Sequence, residues 1–318
     1  MDVIKRIGYC GIAPLVVLDA VEDACPTAEA MLAGGIDVME ISLHAAAGFD
    51  SIKAVAKHCP NMCVGAGAVV TLEQCKQAVK AGAKFIVSPG FNCDVVKWCM
   101  KKGIPVIPGC VTPTEITAAM EFGVKVFQFF PARVYGGLDA MKALAESFGE
   151  IKFIPTGGIA DQNLLEYISA AFVHAVGGSW ICAKADIDAG NFAKIASLCA
   201  GVRGQVLGYE LAHVGINCED EAVAQSVSAL FDKAFDTGVR NGNSSIFASS
   251  GIEVMKSPYL GANGHVCFKT ASIERGIADL TKKGFTIDME TAKYKDGKMV
   301  AVYIKETFGG FAVHLLQR

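Results

Sequence analysis

Two glycine-rich strings, PTGG at 155–158 and VGGSW at 176–180, contain the residue types that hold an anion. Their backbone N–H groups, with the hydroxyls of Thr156 and Ser179, can surround a phosphate or a carboxylate. The plainer alternative is that Gly157, Gly158 and Gly178 only make tight turns. A third string, MEIS at 39–42, places the carboxylate of Glu40 near the end of an apolar run, with His44 four residues on. A carboxylate there can move protons between reacting atoms, or simply accept hydrogen bonds from backbone or from His44.

These groups need a scaffold, and the chain supplies a recurring one from Pro14 to about Ala200. Short apolar runs alternate with amphipathic stretches: PLVVLD (14–19), VMEIS (38–42), MCVGAG (62–67), FIVSPG (85–90), VIPG (106–109), VFQFFP (126–131), KFIPTGG (152–158) and HAVGGS (174–179). Helical patterns lie between them, among them Leu72 to Lys80 and Asp94 to Lys101. Such alternation predicts parallel strands with crossover helices. Eight uninterrupted units predict an α/β fold closed as a (β/α)8 TIM barrel. In that fold the C-terminal strand ends carry the chemistry. Those ends hold Glu40, Ser42 and His44; Pro89; Gln128 and Phe130; Thr156, Gly157 and Gly158; Gly178 and Ser179.

Around GVRGQVLG (201–208) the rhythm changes. The remainder reads as strand (Leu211–Asn217), helix (Glu221–Phe235), short strands to Lys256, strand (His265–Thr270), helix (Ile273–Lys283) and strands to the end. This is a βαβββ pattern used twice, and its halves open alike, LAHVGIN and NGHVCFK, as after an internal duplication. The expected domains are therefore a barrel at 1–204 and a smaller α+β domain of paired βαβββ modules at 209–318.

Composition narrows the function classes. Hydrophobic residues make up 52% and charged residues 19% of 318, enough for two buried cores, and the formal charge is −3. No basic face is evident, which argues against a nucleic-acid partner. No apolar stretch nears the ~20 residues of a membrane span. The opening stretch is expected to form a first strand and loop rather than a signal peptide. Twelve cysteines are scattered, with Cys59 and Cys63 alone at C-x3-C spacing; this predicts small buried hydrophobes in a reducing cytoplasm.

The strings MEISL, VGAG, FIVSPG, VIPG, FQFFPA, YGGLDAMKALA, IPTGGI and VGGSW occur in one order over about residues 5–200. Together they resemble the KDPG/KHG aldolases, which cleave 2-keto-3-deoxy-6-phosphogluconate or 2-keto-4-hydroxyglutarate to pyruvate and an aldehyde. The resemblance implies a lysine Schiff base, an acid–base glutamate at Glu40 and commonly a trimer. A neutral amine attacks the keto carbon, and the iminium drains electrons from the bond being broken. The lysine's place falls on Gln128, whose amide is no usable nucleophile. The family's substrate-gripping arginine falls on His44, and the threonine after VGAG on Ala68, whereas Thr156 and Ser179 match. Lys125, Lys152, Lys84 and Lys184 are poorly placed to substitute.

The second region resembles, more loosely, the vicinal-oxygen-chelate superfamily, which includes glyoxalase I and extradiol dioxygenases. There two βαβββ modules form a cup around a divalent metal. The resemblance implies ligands at His213 in LAHVGIN, Glu253 in GIEVMKS, His265 in NGHVCFK and His314 in FAVHLLQ. Glutamate is frequent at the last place, so His314 is a departure. Three imidazoles and a carboxylate suit Zn2+, Ni2+, Mn2+ or Fe2+. Against this, VRNGNSSIFASSG leaves little chain for a full cup in the first module.

Three functions follow as expectations. The barrel binds a small anionic 2-keto acid or sugar-acid phosphate, its lyase chemistry lost or altered; or the C-terminal domain is a metal-dependent enzyme; or both parts are structural or regulatory. The barrel itself needs no cofactor.

Overall fold

Alternating apolar and amphipathic stretches must bury one side of each strand and one stripe of each helix, and this chain does so in two units. The computed structural model describes residues 2–318. It separates into residues 1–206 and 207–318. No helix among the described residues is long and apolar enough to cross a membrane.

The first unit carries eight parallel strands: β1 (Ile12–Val16), β2 (Val38–Ser42), β3 (Cys63–Gly67), β4 (Ile86–Ser88), β5 (Val106–Pro108), β6 (Val126–Phe129), β7 (Lys152–Pro155) and β8 (Val176–Gly178). Six form a curled parallel sheet in the order β5-β4-β3-β2-β1-β8, and β6 and β7 form a separate pair. Between the two sheets lie single bridges, Gly109 to Gln128 and Phe153 to Val173. The ladders are short for a chemical reason. Pro105, Pro108, Pro131 and Pro155 sit at or beside the ends of β5, β6 and β7, and proline has no N–H to donate.

Helices alternate with these strands as the sequence pattern predicts. Leu72–Ala81 begins at a capping box, where Thr71 accepts from the Gln74 N–H and Gln74 answers the cap. The helix Cys93–Lys102 begins where the Asn92 side chain accepts from the N–H groups of Asp94 and Val95. One expectation is corrected: the opening stretch is a helix, Val3–Cys10, ahead of a strand that starts at Ile12. Asp2 caps that helix by accepting from the Lys5 N–H, and Gly11 ends it in the left-handed conformation. The apolar side of this helix buries Ile7 and Cys10 in a core shared with all eight strands.

The second unit is strand-rich. It contains β9 (Glu210–Asn217), β10 (Arg240–Asn241), β11 (Ser245–Ser249), β12 (Ile252–Met255), β13 (Gly264–Thr270), β14 (Ile287–Lys295), β15 (Lys298–Phe308) and β16 (Phe311–Gln317). Helices Glu221–Phe235 and Ile273–Lys282 follow β9 and β13. The chain order is thus βαβββ twice, joined into one sheet ordered β10-β11-β12-β9-β13-β16-β15-β14. In each half the first strand lies parallel to the last, and β9 meets β13 antiparallel. Each half buries its own apolar cluster, one around Ala224, Ile246 and Val254, the other around Ile273, Val302 and Leu315. The short VRNGNSSIFASSG segment is accommodated by reducing β10 to two residues.

Candidate functional sites

Parallel strands put their C-terminal ends on one side of their sheet, and the candidate polar residues of the first unit lie at those ends. Glu40 lies on β2, 5% exposed. Its carboxylate leans over Gly67 at the end of β3: a Cβ at 67 would fall 2.1 Å from Glu40 Oε1. The glycine in VGAG thus clears the space the carboxylate occupies. Burial pushes the Glu40 carboxyl up to about 8, so at neutral pH it is largely protonated. Gln128 on β6 is 6% exposed. It projects opposite to its neighbours Phe127 and Phe129, which pack against Phe153.

The glycine-rich ends adjoin one another. A Cβ at Gly177 would fall 2.1 Å from Thr156 Oγ1, which places the β7 hydroxyl against the β8 backbone. Gly157 packs on Pro131 and the Phe130 ring, and both Gly157 and Gly158 have positive φ. The loops after β6 and β7 are tied by Ala132 N–H to Thr156 O, 2.8 Å, and Arg133 N–H to Gly157 O, 3.1 Å. Trp180 covers Gly178, and Ser179 stands exposed beside it.

Two expected members are exposed. His44 is exposed, with its backbone N–H directed to Ser42 Oγ at 3.3 Å. Pro89 is exposed, and its carbonyl sits against Gly109. Sequence reasoning also passed over Arg133. Its stem lies on Gly158, where a Cβ would come within 2.5 Å of the Arg133 Cβ. This sets a cation on the loop beside the glycine turn, and its only sequence signal is a position two residues past FFP. Lys184, the least remote substitute amine, is paired with Asp19 at 2.9 Å and with Asp188.

In the second unit, strand register does the assembling. Residues opposite one another on adjacent strands share a face. His213 on β9, Cys267 on β13, His314 on β16 and Tyr303 on β15 form one cross-strand row. Glu253 on β12, Gly215 on β9 and His265 on β13 form the next. Gly215 is needed there, because a Cβ would fall 2.1 Å from the His265 ring. The ring takes the space that a side chain would fill.

The donor atoms converge. His213 Nε2 lies 3.1 Å from His265 Nε2 and 3.1 Å from Glu253 Oε2, and His265 Nε2 lies 3.2 Å from the same oxygen. Ligands about 2.0–2.1 Å from one metal ion are separated by roughly 2.9 Å at right angles and roughly 3.4 Å at tetrahedral angles. The observed spacing falls within that interval. His314 joins through its ring, 5.2 Å from that of His265 and stacked on Tyr303 at 4.6 Å. Both His314 nitrogens are buried with no hydrogen-bond partner from the protein.

The electrostatics agree with this donor set. Burial pushes the Glu253 carboxyl up, but hydrogen bonds from His213, His265 and Ser245 outweigh it and hold the group well below the usual carboxylate range. Burial, then the neighbouring His265 and His213, push His314 down to about 3, which leaves its ring neutral with a free lone pair. The donor atoms of His213, Glu253 and His265 lie within 4.8 Å of one another, as do those of His213, Cys267 and His314.

Residues 3–198 match the family model described as KDPG and KHG aldolase. The chain is 45% identical over 187 residues to the 2-dehydro-3-deoxy-phosphogluconate aldolase of Treponema pallidum, covering 59% of this chain and 89% of that one. It is 38% identical over 187 residues to the KHG/KDPG aldolase of Escherichia coli, covering 59% and 88%. Among solved structures, KDPG aldolase from Legionella pneumophila, with pyruvate captured as a covalent carbinolamine, aligns with a TM-score of 0.60 at 36% identity. That alignment covers 62% of this chain and 97% of the other.

Proposed function

The chain belongs to the KDPG and KHG aldolase family, and from that premise we propose that its first unit binds a small anionic 2-keto acid or sugar-acid phosphate without forming a Schiff base. The observation that carries this reading is Gln128. It stands at the place the resemblance gives to the nucleophilic lysine, while Glu40, Thr156 and Ser179 match the family pattern and His44 and Ala68 depart from it. Thr156, Gly157, Gly158, Gly178 and Ser179 cradle the ligand's anionic end, and Phe130 and Pro89 border it. Glu40, protonated and buried, donates to a ligand oxygen or exchanges a proton with it. His44 is the weakest member, exposed on its loop. In this reading the two bridges complete a closed (β/α)8 barrel, and the assembly is the family's trimer.

The test is pyruvate release from both KDPG and KHG by the natural protein and by Gln128→Lys. An inactive natural protein with an active variant supports the reading. Cleavage by the natural protein sinks it. Thermal stabilisation by pyruvate or phosphogluconate separates a binding barrel from an inert one, since a ligand of the native state must raise its stability.

A second reading is favoured by the spacing of His213, Glu253 and His265 and by the unpartnered His314. The C-terminal unit is a glyoxalase-like, vicinal-oxygen-chelate domain holding Zn2+, Ni2+, Mn2+ or Fe2+ on those four residues. Such an ion, when bound, polarises the oxygens of a small molecule as a Lewis acid. Metal analysis after purification without chelator decides: one ion per chain supports it. A metal-free protein that also takes up none on titration points to a structural unit.

A further inference from the structure

The cross-strand row that carries two of the proposed ligands has a third donor between them. Cys267 is directly opposite His213 across the antiparallel β9–β13 pairing, and directly opposite His314 across the parallel β13–β16 pairing. It is two residues beyond His265 on the same strand, so alternation puts it on the same face. Its Sγ, a His213 ring nitrogen and a His314 ring nitrogen all lie within 4.8 Å of one another. The side chain is fully buried.

A buried cysteine is ordinarily a small hydrophobe. The surroundings of Cys267 do not suit that use. Both cross-strand neighbours are imidazoles, one of them with two unpartnered nitrogens, and a third imidazole stands two residues away. A methyl-sized apolar filler at this point would solvate none of them.

We propose that Cys267 is a thiolate donor to the ion held by His213 and His314, and that it makes the C-terminal site select a thiophilic divalent ion over oxygen-seeking Mg2+ or Ca2+. This rests on the metal reading of the second unit. On binding, one sulfur–metal bond forms and the thiol proton leaves to solvent, with no change of oxidation state. Thiolate and imidazole donors together favour Zn2+ and its borderline neighbours, whereas Mg2+ and Ca2+ take oxygen ligands.

X-ray absorption on the zinc-loaded full chain tests this directly. The expected spectrum shows a sulfur at about 2.3 Å beside nitrogen and oxygen scatterers at about 2.0–2.2 Å. Cys267→Ser is expected to lose the sulfur shell and to weaken zinc binding at least tenfold, and the cobalt-loaded variant to lose its sulfur-to-metal charge-transfer band. Cys93→Ser, altering an exposed thiol, is expected to keep both, and this control stands even if the Cys267 variant fails to fold. Bound zinc with only nitrogen and oxygen neighbours overturns the role of Cys267 and leaves the metal reading intact. A sulfur shell that survives Cys267→Ser, or disappears in Cys93→Ser, overturns it as well. Equal affinity for Zn2+ and Mg2+ removes the selectivity. A chain that takes up no metal ends the metal reading and this proposal together.

Discussion

Glu40 and Glu253 are the same residue type, each in a strand and each largely buried, yet the protein holds them in opposite protonation states. Around Glu40 the identified influence is burial, which favours the neutral acid. Around Glu253 burial acts in the same direction but is outweighed by two imidazoles and a serine hydroxyl. Partners, more than depth, decide the charge of a buried carboxylate. The first unit buries its acid and carries glutamine at 128. The second unit surrounds its acid with donors that point to one spot.

The largest expected effect tests the proposed reading of Gln128. In Gln128→Lys, the neutral amine would supply the nucleophile of the proposed reading, and pyruvate release should rise from background. Replacing Glu40 by Gln in that variant should then cost roughly 100- to 10,000-fold in rate, the usual worth of a general acid–base group. A double variant as active as Gln128→Lys alone would show that Glu40 moves no proton.

In the natural background the contrast is read through pH. The folded-state Glu40 carboxyl is raised from 4.5 to about 8. Below about pH 4.5 it is protonated folded or unfolded and imposes no penalty. From there to about pH 8 the unfolded chain ionises while the native state keeps its proton, so stability falls by roughly 1.4 kcal/mol per pH unit. Above pH 8 this slope ends. Glu40→Gln should match the natural protein near pH 4.5 and exceed it by a few kcal/mol at pH 8. Tryptophan fluorescence isolates the effect, because Trp98 and Trp180 both lie in the first unit. Parallel curves for the two proteins would place a counter-charge beside Glu40.

A smaller effect is expected at Gly215. A Cβ there meets the His265 ring at 2.1 Å, so Gly215→Ala should turn the ring away from Glu253. Disturbing what orients a ligand usually lowers metal affinity 10- to 100-fold. The corresponding Gly67→Ala in the barrel displaces Glu40 instead and should leave metal affinity unchanged. Zinc titration of both variants separates the two sites.

How much of this was legible before folding differs between the units. The first unit's strands and helices were marked by period and by runs such as VGAG and PTGG, and residues at strand ends could be named singly. The breaks in the ladder beside β5, β6 and β7 were harder to foresee, although the prolines that shorten them stand in the sequence. The opening helix Val3–Cys10 was missed because an apolar run directly behind it dominated the reading. In the second unit the repeated βαβββ order was visible, but the position of Cys267 between His213 and His314 was not. HVCFK shows that Cys267 shares a face with His265; only pairing to β9 on one side and β16 on the other sets it between two histidines. Gly215 was equally silent, since the ring that fills its space comes from 50 residues further along the chain.

The smallest effect returns to the proposed anion cradle and asks whether the first unit discriminates among anions. Arg133 is exposed, with its stem on Gly158, so its charge acts through solvent and is worth on the order of 1 kcal/mol or less. That corresponds to roughly a fivefold change in affinity. A phosphate carries more charge than the carboxylate of pyruvate and reaches further along the cradle. Arg133→Ala should therefore weaken phosphogluconate binding a few-fold, leave pyruvate binding nearly unchanged, and show the difference only at low salt. Calorimetric titration at two ionic strengths measures both. Equal losses for the two ligands would mean that Arg133 supports the loop after β6 and not the charge of the ligand. A loss confined to pyruvate would put the phosphate elsewhere, away from the PTGG turn.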